Sequence, residues 1–435
     1  MTQSGWKLFC WTWLAFIAWP LSAQEQPATF EFSFSNPGAR SLGLGGAFAA
    51  LADDATAAFA NPAGLVQLLD SELSAEGRMT SRKTEFVQGG RVAGSPSGLG
   101  VDTVDGLRFG VSQDERTDLT FASFVYPAER WSVALYRQLW AAFALTSRID
   151  GLFGVEEDEE VRAGDIQART SVRVTHSGLA GAFELGEKWS LGIGVVYFQA
   201  RLDSIANEFT QPEEEFYDRS RFEADQLDTN YSHQADQSGF SWNAGLLWRA
   251  TPHWSFGAYY RQGPRVTLRV VETAGPAEEE LPAGTVALDE TSPLDFPDVY
   301  GAGIAFRSPD GVWTVSAEWS RVLYSSITQG LDVDVLDPEQ IVLDDGDELR
   351  LGFEYVFVRS RPVVALRLGA WLDPAHRVVA SADADIFEEA VFSAGVDQTH
   401  LSGGLGLVFE QFQLDLGYDH SDRAQVASLS IVYRF

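Results

Sequence analysis

Toward its C-terminus the chain alternates: Ala427, Leu429, Ile431, Tyr433 and Phe435 fall on one face of an extended segment, while Ser428, Ser430 and Arg434 fall on the other. The segment before it repeats the pattern, with Phe412, Leu414, Leu416 and Tyr418 set against Gln413, Asp415, Gly417 and Asp419. A period of two suits any sheet with one apolar face, in a soluble sandwich or in a barrel that faces lipid. The connections separate these. Short links at 127–130, 186–188, 251–253, 308–312, 359–362 and 410–411 take turns with longer polar links at 82–116, 149–169, 204–237, 264–297, 325–346, 374–396 and the shorter 420–425. Such strict turn-taking predicts an all-β fold: a transmembrane antiparallel β-barrel of about 14 strands, an even number with both ends on the turn side.

The strands this implies are about 9 to 17 residues long, and tilted strands need about 9 to 11 to cross a bilayer. Trp131, Trp189, Trp254 and Trp313 each open a strand directly after a short turn. Indole prefers the boundary between acyl chains and water, so this shared position points to an aromatic girdle on the turn side. If the apolar faces meet lipid, the opposite faces carry Arg350, Glu354, Arg367, Asp415 and Asp419 into the bore, with Arg261 and Glu318 by the same count. Glu354 and Arg367 lie symmetrically about the turn near Ser360, which predicts a cross-strand ion pair. Its role is either to brace the wall or a plug, or to touch substrate.

The strand that opens at Trp131 breaks the pattern. Trp131, Val133 and Leu135 place Arg137 on the lipid side near mid-depth, and a bulge over 136–138 would turn it inward and bend the strand. A misread phase is the plain alternative. The stretch 139–145 is apolar on both faces, so Leu139, Trp140, Phe143 and Leu145 join Arg137 as candidates for a substrate pocket or lateral gate. Packing against an internal plug would use the same side chains.

The N-terminus reads differently. Lys7 precedes an apolar run over 8–19, then Pro20 and the small residues Ser22 and Ala23, the form of a secretory signal peptide spanning 1–23. Residues 24–68 follow as a glycine- and alanine-rich unit, containing Gly43-Leu44-Gly45-Gly46 and Asn61-Pro62-Ala63-Gly64. These glycines permit tight turns and close packing, and the alanines allow short helices. A wide bore needs filling and this segment lies on the turn side, so the domain reading is signal peptide 1–23, hatch 24–68 and barrel 69–435. A dinucleotide fingerprint in the glycine run lacks the strand before it and the βαβ unit after it.

Composition narrows the function classes. The chain carries 62 acidic against 31 basic residues, a net charge of −31 that repels nucleic acid. Its single cysteine, Cys10, falls in the leader, which removes disulfide and thiolate chemistry from the mature chain. No Gly-x-Ser-x-Gly motif is present, and the six histidines show no nucleophile or metal spacing, so neither an enzyme, a cofactor nor a metal site is expected. The acidic runs at 156–160 and 213–215 read as solvated loop charge, with divalent cation binding the sharper alternative.

The stretch Pro37-Gly38-Ala39-Arg40-Ser41-Leu42-Gly43-Leu44-Gly45-Gly46-Ala47-Phe48, then Ala52-Asp53-Asp54-Ala55 and Asn61-Pro62-Ala63-Gly64-Leu65, resembles the N-terminal hatch of the FadL/TodX family of outer-membrane transporters. Pro297-Asp298-Val299-Tyr300-Gly301-Ala302-Gly303 and Leu349-Arg350-Leu351-Gly352-Phe353-Glu354-Tyr355 resemble that family's C-terminal half. The resemblance implies a fourteen-stranded barrel in the bacterial outer membrane, passing hydrophobic small molecules, long-chain fatty acids foremost, without catalysis. Its hatch residues here are Arg40, Gly43, Gly45, Gly46, Asn61, Pro62 and Ala63. Ile431, Tyr433 and Phe435 resemble the C-terminal signal read by the barrel-assembly machinery, so that machinery and outer-membrane lipid are the expected partners besides the cargo. The family opens sideways at an inward kink of its third strand, yet 131–147 holds no glycine. A hatch-bearing barrel that serves as a scaffold or secretion accessory is the alternative function.

Overall fold

Each alternating segment finds a partner on both sides, and that repeated pairing makes the architecture. The computed structural model describes residues 34–156, 158–329, 341–381, 386–392 and 395–435; the leader and residues 24–33 of the hatch lie outside them. Fourteen antiparallel strands form the wall in chain order: Glu72–Arg91, Leu107–Pro127, Trp131–Ile149, Asp165–Leu185, Trp189–Phe209, Leu227–Arg249, Trp254–Arg261 continued by Arg265–Ala274, Val286–Asp295 continued by Val299–Arg307, Trp313–Val322, Gly346–Phe357, Val363–Asp373, Gln398–Val408, Phe412–His420 and Ala424–Arg434. The last strand pairs with the first from Glu72↔Arg434 to Arg82↔Ala424, so the sheet closes on itself. Closure joins the first strand to the last, the condition for a sheet in lipid.

The short turns stand where the sequence puts them, but the loops are shorter than expected. Within 82–116, where the run 107–111 could extend a neighbouring strand beyond the membrane, it does so: the first two strands run on to Arg91 and back from Leu107. The region 204–237 likewise gives up its ends to strands finishing at Phe209 and restarting at Leu227. The region 264–297 holds paired strands that prolong the seventh and eighth wall strands, and 149–169 holds a small hairpin, Leu152–Glu156 with Glu159–Arg162. Beyond the membrane the outer face meets water while the inner face stays packed, as at Val266, Leu268 and Val270, so the outward apolar positions end while the ladder of backbone hydrogen bonds continues.

Outward-facing positions carry the belt. Leu349, Leu351, Phe353, Tyr355 and Phe357 of the tenth strand are all exposed large hydrophobics, as are Phe412, Leu414, Leu416 and Tyr418 of the thirteenth. Trp131, Trp189, Trp254 and Trp313 are exposed at the turn end. Neighbouring rings join them: Tyr126 lies 6.1 Å from Trp131, Trp248 stacks on Trp189 at 5.1 Å, and Phe306 sits 4.8 Å from Trp254 and 5.2 Å from Trp313. Inside, residues 34–68 fill the bore with a short helix Ala39–Gly43, another at Ala57–Ala60 and a 3-10 turn Pro62–Gln67. Toward the loops the interior is apolar, built from side chains such as Phe143, Phe198, Leu202, Leu268 and Phe296.

Candidate functional site

The hatch is held by the residues whose pattern sends them into the bore. Asn61 precedes Pro62 at the start of the 3-10 turn, where a proline loses no hydrogen bond. Its side chain accepts from the Ala63 amide at 3.2 Å and donates to the carbonyls of Ala49 at 2.8 Å and Leu246 at 3.1 Å. One amide thus ties two hatch segments to the sixth strand. Glu318, 4% exposed, accepts from the amides of Phe48 and Ala49 at 2.8 and 2.7 Å and from the Tyr259 hydroxyl at 2.9 Å. Arg261 donates to Asn36 and to the carbonyls of Phe59 and Ala60. Arg350 reaches the Gly45 carbonyl at 3.3 Å and pairs with Glu348 at 2.8 Å.

A chain of charges links hatch to wall. Glu354 pairs with Arg367 at 2.7 Å across register-matched positions, and Arg367 also holds Asp415 at 2.6 Å. On its other side Glu354 receives Arg40 of the hatch at 3.1 Å, and Arg40 pairs with Asp53, which also takes Arg307 at 3.0 Å. Burial pushes the Asp53 carboxyl up, but Arg40 and Arg307 outweigh it and hold it well below the usual carboxylate range. Asp419, the fifth bore charge, accepts from Trp371 at 3.1 Å and pairs with His400 at 2.6 Å.

What sequence reasoning missed is the seat. A Cβ on Gly192 would stand 2.3 Å from the Ala63 nitrogen, on Gly245 1.9 Å from the Asn61 side chain, on Gly257 2.1 Å from the Ala49 carbonyl, and on Gly369 2.1 Å from the Gly45 nitrogen. These glycines belong to four different strands, so the hatch backbone lies directly on the wall where side chains are absent. The signal was present as inward glycines on these strands, but which of them seat the hatch is visible only once strand heights are known.

The third strand corrects one expectation. The bulge lies not over 136–138 but between Leu139 and Ala141, with Trp140 as the extra residue against the fourth strand. Arg137 therefore keeps the phase of Trp131 and Leu135 and faces outward. It stands six residues above Trp131, which at about 3.3 Å per residue and a tilt of about 40° is about 15 Å along the membrane normal, mid-depth in a belt about 25 Å tall. An arginine there costs about 2–4 kcal/mol. After the bulge the phase reverses, so Trp140, Phe143 and Leu145 all point inward and are buried, while Leu139 is half-buried. Trp140 lies 4.8 Å from Phe34, stacks on His176 at 5.0 Å and meets Phe296 edge-on.

The same place marks a split in the wall. The second and third strands pair only from Pro127↔Ser132 to Phe121↔Gln138. Above that point the second strand stays on the first as far as Gly90↔Leu107, and the third stays on the fourth as far as Ile149↔Ile166. Polar side chains replace the missing ladder at two points: Asp114 accepts from the Ala144 amide at 3.0 Å and Ser112 from the Thr146 amide at 3.0 Å. Behind the seam lies a cavity of about 60 Å³ touching Thr120, Gln138, Leu139 and Trp140. A second, of about 40 Å³, lies above the hatch among Arg82, Arg350, Trp371, His400, Arg423 and Leu42. Ser35, Arg82 and Val426 line both, so one thin partition divides them. Pockets for small organic ligands measure about 300–1,000 Å³, so the passage through these two spaces is closed.

Comparison with known proteins agrees with this plan. The family model of the outer membrane protein transport proteins (OMPP1/FadL/TodX) matches residues 15–341. A long-chain fatty acid transport protein of Salmonella typhi is 27% identical over 119 residues, 26% of this chain and only 27% of that relative. Among solved structures, a Pseudomonas aeruginosa FadL homologue superposes with a TM-score of 0.62 at 14% identity, covering 92% of this chain and 99% of its own. The CymD monoaromatic hydrocarbon channel gives 0.57 at 17% identity, covering 93% and 99%. The Ralstonia pickettii toluene transporter TbuX gives 0.54 at 16%, covering 93% and 100%. At such identities the structures speak for the fold, and the family match carries the assignment: this chain belongs to the OMPP1/FadL/TodX family of outer-membrane transport proteins, and its place is the bacterial outer membrane.

Proposed function

We propose that this protein moves long-chain fatty acids passively from outside the cell into the outer membrane, through the bore and out by the seam between its second and third strands. The observation that carries this reading is the adjacency of two spaces. One is a bore pocket lined by Arg82, Arg350, Arg423, Asp373 and Asp419 beside Leu42 and Trp371; the other opens on the unpaired wall. Guanidinium groups suit a carboxylate, and apolar walls suit a chain that gains about 0.8 kcal/mol per buried methylene. A neutral aromatic hydrocarbon has no use for the cations. The relative named for long-chain fatty acids supports the acid, while the channels named for monoaromatic hydrocarbons and toluene keep the second cargo class in view.

Passage requires the partition to move. Phe34 lies within 6.0 Å of both Trp140 and Tyr324, so a shift of the segment before the first hatch helix would join the two spaces. Leu139, Trp140, Phe143 and Leu145 then serve as the apolar side of the route. Arg40, Gly43, Gly45, Gly46, Asn61, Pro62 and Ala63 hold the rest of the hatch in place, and Glu354, Arg367 and Asp415 brace it. Outer-membrane lipid surrounds the belt, and Ile431, Tyr433 and Phe435 supply the terminal strand read during assembly. Uptake of labelled oleate and of toluene by cells with and without the gene tests the reading. Gene-dependent oleate entry is expected; entry of toluene alone would transfer the protein to the hydrocarbon class, and no difference for either would favour a docking role.

A further inference from the structure

Arg137 is the one residue the proposed route does not absorb. It is a cation on the lipid-facing surface at mid-depth, and intramembrane charges on an outer wall persist where they have a partner. Among the described residues no carboxylate comes within 4.0 Å of it, and its one polar contact is the Ser177 hydroxyl at 3.4 Å. Its register neighbours on the two flanking strands are Ala122 and Ser177, both small, so the guanidinium is reachable from the membrane. Below it the outer face is Leu135, Leu179 and Phe124, all exposed and apolar. Directly above it, from Gln138 onward, the ladder to the second strand ends. Arg137 therefore sits on the lower outside lip of the seam.

We infer that Arg137 is a specificity-determining residue at the exit: it receives the carboxylate of an acid leaving through the seam and so favours acids over neutral molecules of equal length. The inference rests on the proposed lateral route and acid cargo. A carboxylate head leaving water needs a hydrogen-bonding cation before its chain is free among the acyl tails, and a guanidinium offers two parallel donors to it. The apolar strip of Leu135, Leu179 and Phe124 below gives the chain a surface to lie on. On the outer face beside the seam Arg173 is held by Asp118 at 2.8 Å, whereas Arg137 stands at the lip where the ladder ends.

The test uses the full-length protein in a Gram-negative host lacking its own fatty acid transporter. Initial uptake of labelled oleate and of oleyl alcohol is compared for wild type, Arg137→Gln and Arg137→Lys at matched surface levels, folding being checked by heat-modifiable migration. The expected result is a fall in oleate uptake of about five- to tenfold in Arg137→Gln, oleyl alcohol uptake within twofold of wild type, and recovery of at least half the oleate rate in Arg137→Lys, because a point charge still attracts the acid. Equal rates for wild type and Arg137→Gln, or a parallel fall with both probes, would overturn the assignment and leave the fatty acid reading standing. Loss of bound lipid phosphorus from purified Arg137→Gln with unchanged oleate uptake would overturn it in favour of a lipid headgroup. A wild type that carries the alcohol and not the acid would remove both.

Discussion

Replacing Glu318 tests whether the hatch is a plug held by the wall. Its carboxylate accepts two hatch amides, Phe48 and Ala49, and the Tyr259 hydroxyl, all buried. A hydrogen bond to a charged acceptor contributes about 1.5–3 kcal/mol, so Glu318→Ala removes about 3–6 kcal/mol from the amides alone and strands two buried donors. Relaxation or an entering water recovers part of this, which makes about 3 kcal/mol the working figure. Since about 1.4 kcal/mol is tenfold, opening of 44–52 becomes at least about a hundredfold more frequent. Glu318→Gln keeps an acceptor oxygen without the charge and is expected near tenfold. Amide hydrogen exchange of the detergent-solubilised barrel, followed by mass spectrometry of the peptide over 44–52, reads this directly, with strand peptides as internal reference. Identical protection in that peptide for wild type and Glu318→Ala would refute the anchoring argument.

Arg367→Met leaves Glu354 and Asp415 without their shared partner and is expected to destabilise the folded barrel by about 3–5 kcal/mol, read as a lower denaturant midpoint in lipid vesicles. Gly245→Val sets a side chain where the Asn61 amide lies and is expected to lift the 3-10 turn from the sixth strand, read as entry of large antibiotics normally excluded by the outer membrane. Asp53 has a folded pKa below its unfolded value, so the stability it lends the hatch is full above about pH 4 and is lost as pH falls through the folded pKa; hatch exchange should rise below pH 4 in wild type and change less in Asp53→Asn. With single-tryptophan proteins in brominated lipid, Trp131 and Trp189 should be strongly quenched and Trp140, buried against Phe34, weakly.

How much was readable follows from the period of the information. Strand alternation repeats every two residues, so the outward belt, the girdle tryptophans and the inward set Arg350, Glu354, Arg367, Asp415 and Asp419 follow from local sequence once one face is known to be apolar. The Glu354 and Arg367 contact came from symmetry about a tight turn. Strand ends beyond the membrane are hidden because the outward positions there turn polar, as at Lys83 and Gln113, and the apolar outer stripe that marks a membrane strand is lost. The bulge was sensed from the phase conflict at Arg137, but its place depends on which residue of 136–141 loses its partner, a property of the fourth strand as much as the third. The seam and the glycine seat depend on three or more strands at once. Ser112, Asp114, Arg116 and Asp118, polar at every second position, were the one local hint that the second strand does not face a plain apolar neighbour there.

Transport by the proposed route requires cargo to leave between the second and third strands. Because the chain's only cysteine is Cys10, the triple variant Cys10→Ser, Asp114→Cys, Ala144→Cys offers two thiols and no others, at positions already bridged by a side-chain hydrogen bond. A short reversible bis-thiosulfonate linking them should abolish gene-dependent oleate uptake, and reduction should restore it, with either single variant unaffected. Full uptake through the linked barrel would contradict a lateral route.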